Sequence, residues 1–121
     1  MPNDCNNILT IVTYSASNDG IEELSKLIKN EINIIPNVEI MVNGEKGIKC
    51  HFITAWTPDF KWLEMIHEKY QLCWIKNEWK VEDGMTGVWI GRFEYSDKKI
   101  TRMEWCDLSI EDEYYLFLPS Q

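Results

Sequence analysis

Apolar residues recur at a spacing of two in six stretches of this chain and at helical spacing in two others. The order of those periods limits the folds available to it. The first period-two stretch, Cys5 to Tyr14, is rich in Ile, Leu, Thr and Val, as strands are. Asp19 with Glu22 three residues later makes a helix-start signal. Ile21, Leu24, Ile28 and Ile32 then form one stripe, with Glu22, Glu23, Lys26 and Lys29 left to solvent. Pro36-Asn37 breaks the pattern.

Val38, Ile40 and Val42 alternate with Glu39 and Met41, and Asn43-Gly44 opens a hairpin turn that runs to Gly47. The returning strand, Ile48 to Trp56, places Ile48, Cys50, Phe52, Thr54 and Trp56 on one face. Thr57-Pro58-Asp59 reads as a second helix start, with a hydroxyl cap, proline at the first position and an acid at the positive end of the dipole. Phe60, Leu63, Ile66 and Tyr70 make its apolar stripe, flanked by Trp62 and Met65. Three more strands follow, Cys73 to Val81, Gly87 to Tyr95 and Ile100 to Cys106, separated by Glu82-Asp83-Gly84 and Ser96-Asp97-Lys98. Ser109 caps a short helical turn through Glu113, ahead of Tyr114 to Leu118.

The order predicts an α+β fold: a ferredoxin-like βαββαβ sandwich with extra C-terminal strands and two helices on one face of an antiparallel sheet. Alternation in the last strands predicts one covered face and one wet face. The wet face is expected to carry Lys76, Glu78, Lys80, Arg92, Glu94, Arg102 and Glu104, a set of mixed sign without aromatics. With 121 residues and no linker or repeat, one domain spanning 1–121 is expected.

Charge narrows the partners. A net charge of −8 disfavours direct binding to nucleic acid or to anionic membranes and suits a basic protein partner. There is no apolar run of membrane-spanning length and no signal-peptide layout at Met1 to Asn7. The four cysteines, Cys5, Cys50, Cys73 and Cys106, are scattered without a CxxC pair, so they read as reduced thiols in a cytoplasm.

Chemistry-bearing patterns are missing. His51 and His67 are the two histidines, no two ligands stand at chelating spacing, and His51 and Cys50 point to opposite faces of one strand. No Cys–His signature, P-loop, GxGxxG or GxSxG occurs. The expectation is a protein that is not an enzyme and has no catalytic residue, metal or cofactor. Trp56 is read as closing the core where its strand meets the second helix, the alternative being that Trp56 or Trp62 lines a ligand pocket.

The C-terminal segment stands apart. Glu104, Asp107, Glu111, Asp112 and Glu113 occur without an intervening Lys or Arg, and Tyr114 and Tyr115 follow. These seven residues are the candidate partner-binding surface, with tyrosines as anchors and carboxylates as the long-range attraction. The competing account is a charged turn whose aromatics tuck onto the core.

Several segments resemble a known family. Met1-Pro2-Asn3, Cys5, Asn7 and Leu9-Thr10-Ile11 are similar to the opening of the phage- and plasmid-borne Api-type proteins, which contain a ferredoxin-like domain. Ile34-Ile35-Pro36, Phe52-Ile53-Thr54-Ala55-Trp56-Thr57-Pro58, Glu82-Asp83-Gly84, Gly87 and Trp89 continue the likeness. Asp4 and Asp59 depart from it, and the stretch between Pro36 and Phe52 is shorter than usual.

The resemblance implies the fold and a mobile-element origin in a bacterial host cytoplasm. Family members are mostly of unknown function, with an antirestriction label on some. Together with acidity and small size, it leads to the expectation of an inhibitor of a bacterial defence nuclease complex, anti-CRISPR or antirestriction in type, that occludes a nucleic-acid site. The alternatives are a small-molecule binder for a nucleotide signal and a structural accessory domain. The oligomeric state is left open by the sequence.

Overall fold

The computed structural model of the chain describes residues 3–13, 18–94 and 99–105. Its strands are β1 (Asp4–Thr13), β2 (Glu39–Gly44), β3 (Gly47–Ala55), β4 (Cys73–Val81), β5 (Thr86–Glu94) and β6 (Lys99–Trp105). Helix α1 (Asn18–Leu27) follows β1, and α2 (Phe60–Lys69) links β3 to β4. The six strands form one sheet in the order β2-β3-β1-β4-β5-β6, every neighbour antiparallel. The first four strands have the ferredoxin-like arrangement, with β5 and β6 added beyond β4 by two successive hairpins.

The core lies between the helices and one face of the sheet. Leu9 and Ile11 of β1, Leu24 and Leu27 of α1, Leu63 and Ile66 of α2 and Ile75 of β4 are essentially inaccessible. Each such side chain contributes about 1.5–3 kcal/mol through burial. The α1 stripe continues beyond Leu27 through one π-helical turn, Ile28–Ile32, in which the Asn33 amide donates to the Ile28 carbonyl at 2.9 Å. This wider turn keeps Ile32 in the core.

Two glycines let bulky side chains share the sheet surface with α2. A Cβ on Gly87 would stand 2.4 Å from the Trp79 ring, and one on Gly91 would stand 2.8–2.9 Å from Trp89 and His67. Gly87 pairs with Trp79 across β4 and β5, so the indole lies flat over a position that has no side chain.

Both helix starts differ from the sequence reading. Asn18 is already helical, so Asp19 sits inside the first turn of α1, where it meets the dipole rather than acting as cap. In α2 the cap is Asp59, not Thr57: its Oδ1 accepts from the Trp62 amide at 3.1 Å. Thr57 is instead held in the preceding turn, its carbonyl accepting from the Thr54 hydroxyl at 2.7 Å.

The expected wet face is also revised. Lys76, Val88 and Ile90, on the face opposite the helices, are buried, with Lys76 only 3% exposed. Lys76 pairs with Glu78 at 3.2 Å, and a lysine stem covers apolar surface while its head stays paired. The same face holds Trp74, so it does carry an aromatic. Register sets positions 102 and 104 opposite Gly91 and Trp89, on the helix side rather than with Lys76. Antiparallel pairing decides this: strand β6 is entered one position out of phase with the pattern read from the sequence.

Candidate functional site

Potential chemistry is dispersed or sealed. Cys5, Cys50 and Cys73 are free and buried. Burial pushes the Cys50 thiol up to about 11. Burial, with the Glu23 carboxylate adding to it, takes Cys73 to about 12. Burial raises Cys5 as well, against a hydrogen bond from Thr54 that lowers it. Such thiols are protonated at neutral pH and are poor nucleophiles and metal ligands.

The histidines do not converge. His51 is half-buried on the face opposite the helices, 3.0 Å from Asn6 Oδ1 and 3.7 Å from a Glu39 oxygen. His67 is buried on α2, its ring edge-on to Trp89 at 6.1 Å. Among the described residues no cluster of His, Cys, Asp and Glu is arranged to hold a metal ion. No helix among them is long and apolar enough to cross a membrane.

The feature with the character of a binding site is the corner where β3 gives way to α2. Its foundation is a buried polar chain. The Asn77 amide donates to Asn7 Oδ1 at 3.0 Å, and Asn7 Nδ2 in turn donates to the Thr54 hydroxyl at 3.0 Å and to the Phe52 carbonyl at 3.3 Å. Asn7 and Asn77 are 0% and 1% exposed, so this chain is fixed by the cost of leaving a buried amide unpaired. Thr54 passes the constraint on to the turn through its bond to the Thr57 carbonyl.

Trp56 occupies that turn with φ of 69°, left-handed backbone that a bulky residue rarely adopts. The conformation is over-determined. Its amide donates to the Asn3 carbonyl at 2.8 Å, and the Thr57 amide donates to the Ala55 carbonyl at 2.8 Å. Trp56 is 54% exposed, so it does not close the core as its place in the alternation predicts. Pairing of β3 with β1 ends at Ala55, and the positive φ turns the next side chain out of the pleat.

Beside this turn lies a shallow apolar groove of about 250 Å³. Ile35 and Pro36 reach it from the loop after α1, Phe52, Ile53 and Thr54 from β3, and Asp59 and Trp62 from α2. Phe52 and Trp62 meet edge to face at 5.9 Å. Asp59 is the one ionisable residue in the lining. From the sequence, Trp62 flanks the α2 stripe and is one of two tryptophans offered as pocket-lining, and Pro36 is a breaker within a segment of the family likeness; nothing in their spacing shows that they meet.

Of the seven residues expected to bind a partner, Glu104 is on β6, opposite Trp89. Asp107, Glu111, Asp112, Glu113, Tyr114 and Tyr115 lie outside the described residues, as do the expected turn from Ser109 to Glu113 and Cys106.

Comparison with known proteins returns one family. The model of a ferredoxin-like domain in Api92-like proteins matches residues 37–115, from the turn before β2 to beyond β6. No curated protein and no solved structure matches the chain.

Proposed function

The chain belongs to the Api92-like family with a ferredoxin-like domain, and from that premise we propose that it is a non-enzymatic mobile-element protein that inhibits a bacterial defence nuclease complex. It binds the complex through its acidic surface and occludes a basic nucleic-acid site, in a system of the CRISPR or restriction type. The observation that carries this reading is the charge balance: 20 Asp and Glu against 12 Lys and Arg. That excess steers the molecule toward a positively charged channel. Sealed, protonated thiols among the described residues support association rather than bond-making chemistry.

In this reading Glu104, Asp107, Glu111, Asp112 and Glu113 supply attraction, and Tyr114 and Tyr115 supply anchoring area. The test is a binding and DNA-cleavage assay against purified CRISPR effector and restriction complexes. Affinity is expected to fall by about tenfold or more between 50 and 300 mM salt, as electrostatic steering predicts. Combining Glu111→Lys, Asp112→Lys and Glu113→Lys is expected to abolish inhibition. Full inhibition by that triple variant would remove the acidic segment from the mechanism.

A further inference from the structure

The sheet has an opening at the groove. The pairing of β2 with β3 ends at Glu39–His51, whereas β3 continues to Ala55 and is paired with β1 throughout. On the β2 side, residues 52–55 therefore have no strand partner among the described residues. An unpaired strand edge presents backbone donors and acceptors to one kind of occupant, an extended chain. Here Ile53 and the Ala55 amide face that way, the Ala55 carbonyl being taken by the Thr57 amide.

The groove states which side chain that chain brings. At about 250 Å³ it falls below the roughly 300–1,000 Å³ of small-molecule sites, a size suited to one inserted side chain. The Trp62 ring, backed by the buried Phe52 and flanked by Ile35 and Pro36, offers apolar contact for an aliphatic stem. Asp59, exposed at the start of α2, puts one negative charge beside them with no Lys or Arg in the lining. An apolar stem ending in a cation satisfies all of these together. An anionic nucleotide satisfies none of the charge.

We infer that the edge of β3 from Ile53 to Ala55, open among the described residues, accepts an extended segment of a protein partner, with an arginine or lysine side chain of that segment lying along Trp62 toward Asp59. The inference rests on the reading of this chain as a protein-binding domain and gives that reading a second contact, separate from the acidic C-terminal run. Trp56, locked outward in the adjoining turn, borders the same edge.

The experiment is an NMR titration of the whole ¹⁵N-labelled chain with the peptide acetyl-Val-Arg-Val-amide. Acetyl-Val-norleucine-Val-amide and acetyl-Val-Glu-Val-amide serve as comparisons. The arginine peptide is expected to shift the Ile53 and Thr54 amides and the Trp62 indole saturably. The norleucine peptide is expected to bind about threefold or more weakly, as loss of a cation–π contact predicts, and the glutamate peptide not at all.

Asp59→Asn keeps a capping oxygen for α2, so the fold survives while the charge is lost. It is expected to weaken the arginine peptide by about three- to fivefold, the scale of one exposed ion pair, and to leave the norleucine peptide unchanged. Equal affinity for the arginine and norleucine peptides, an unchanged arginine affinity in Asp59→Asn, or shifts that avoid β3 would each overturn the inference. Nuclease inhibition sensitive to the triple charge reversal, with no peptide binding, would sink the groove alone. Saturable peptide binding by a chain that inhibits no nuclease would keep the groove and sink the nuclease reading.

Discussion

The centre of the sheet and its β2–β3 flank are built on opposite terms. In β1, every second residue from Cys5 to Thr13 is buried, and β4 buries Cys73, Ile75, Asn77, Trp79 and Val81 on the same face. In β2 all six residues are exposed, including Ile40, Met41 and Val42, and a register shift interrupts its pairing between Ile40 and Val42. Side chains at the centre are held in place by the helices above them. Along β2 no described element covers the side chains, so Ile40, Met41 and Val42 stand outside the core that holds Ile48, Cys50 and Phe52 of β3. The contrast places the fold's stability in β1 and β4, while the proposed docking edge lies at the end of β3.

Substitution gives three ways to test that division. The largest effect is expected at Leu9→Ala, which removes a fully buried side chain from the central strand. A loss of about 2–5 kcal/mol by urea unfolding is the range for such cavities; a loss under 1 kcal/mol would show that β1 is not the keystone. Next is Gly87→Ala, whose new methyl meets the Trp79 indole. Overpacking of this kind costs about 1–3 kcal/mol, accompanied by a shift of the Trp79 near-ultraviolet signal. An undisturbed variant would mean that the β4–β5 region yields easily and belongs with the flank.

The smallest effect is expected at Met41→Lys on β2, within about 0.5 kcal/mol of the parent because the side chain is half exposed and carries little packing. A clear loss of stability there would erase the distinction between centre and edge. Paired with the groove titration, the same variant also asks whether β2 itself shares in docking. It is expected to leave arginine-peptide affinity unchanged, since Met41 does not line the groove.

The elements that sequence reading located well are those whose periodicity is enforced by burial. Leu24, Ile28 and Ile32, then Leu63, Ile66 and Tyr70, sit at helical spacing because one side of each helix is pressed against the sheet, whereas Ile21 of the same stripe lies outside the core. Cys73 to Val81 has the same limits in sequence and structure. The misreadings occur where local geometry overrides the pattern. The alternation runs on to Trp56 while β3 ends at Ala55, because a left-handed turn leaves no mark in the hydrophobic pattern. Thr57 and Asp59 are both competent caps, and only the path of the chain chooses between them. Charge alone predicts a solvated Lys76, whereas Val88 and Ile90 beside it are buried.

By itself, the sequence determined the order of the six strands and two α-helices among the described residues, the acidic net charge, and the lack of any local catalytic motif. Periodicity and charge are local properties, so they can be read along one dimension. Tertiary structure alone decided that Pro36, Phe52, Asp59 and Trp62 surround one groove, and that β2 ends before β3 does. Those facts depend on strand register and on how far each partner extends. Both are settled when the sheet is closed against its helices and distant segments are forced to become neighbours.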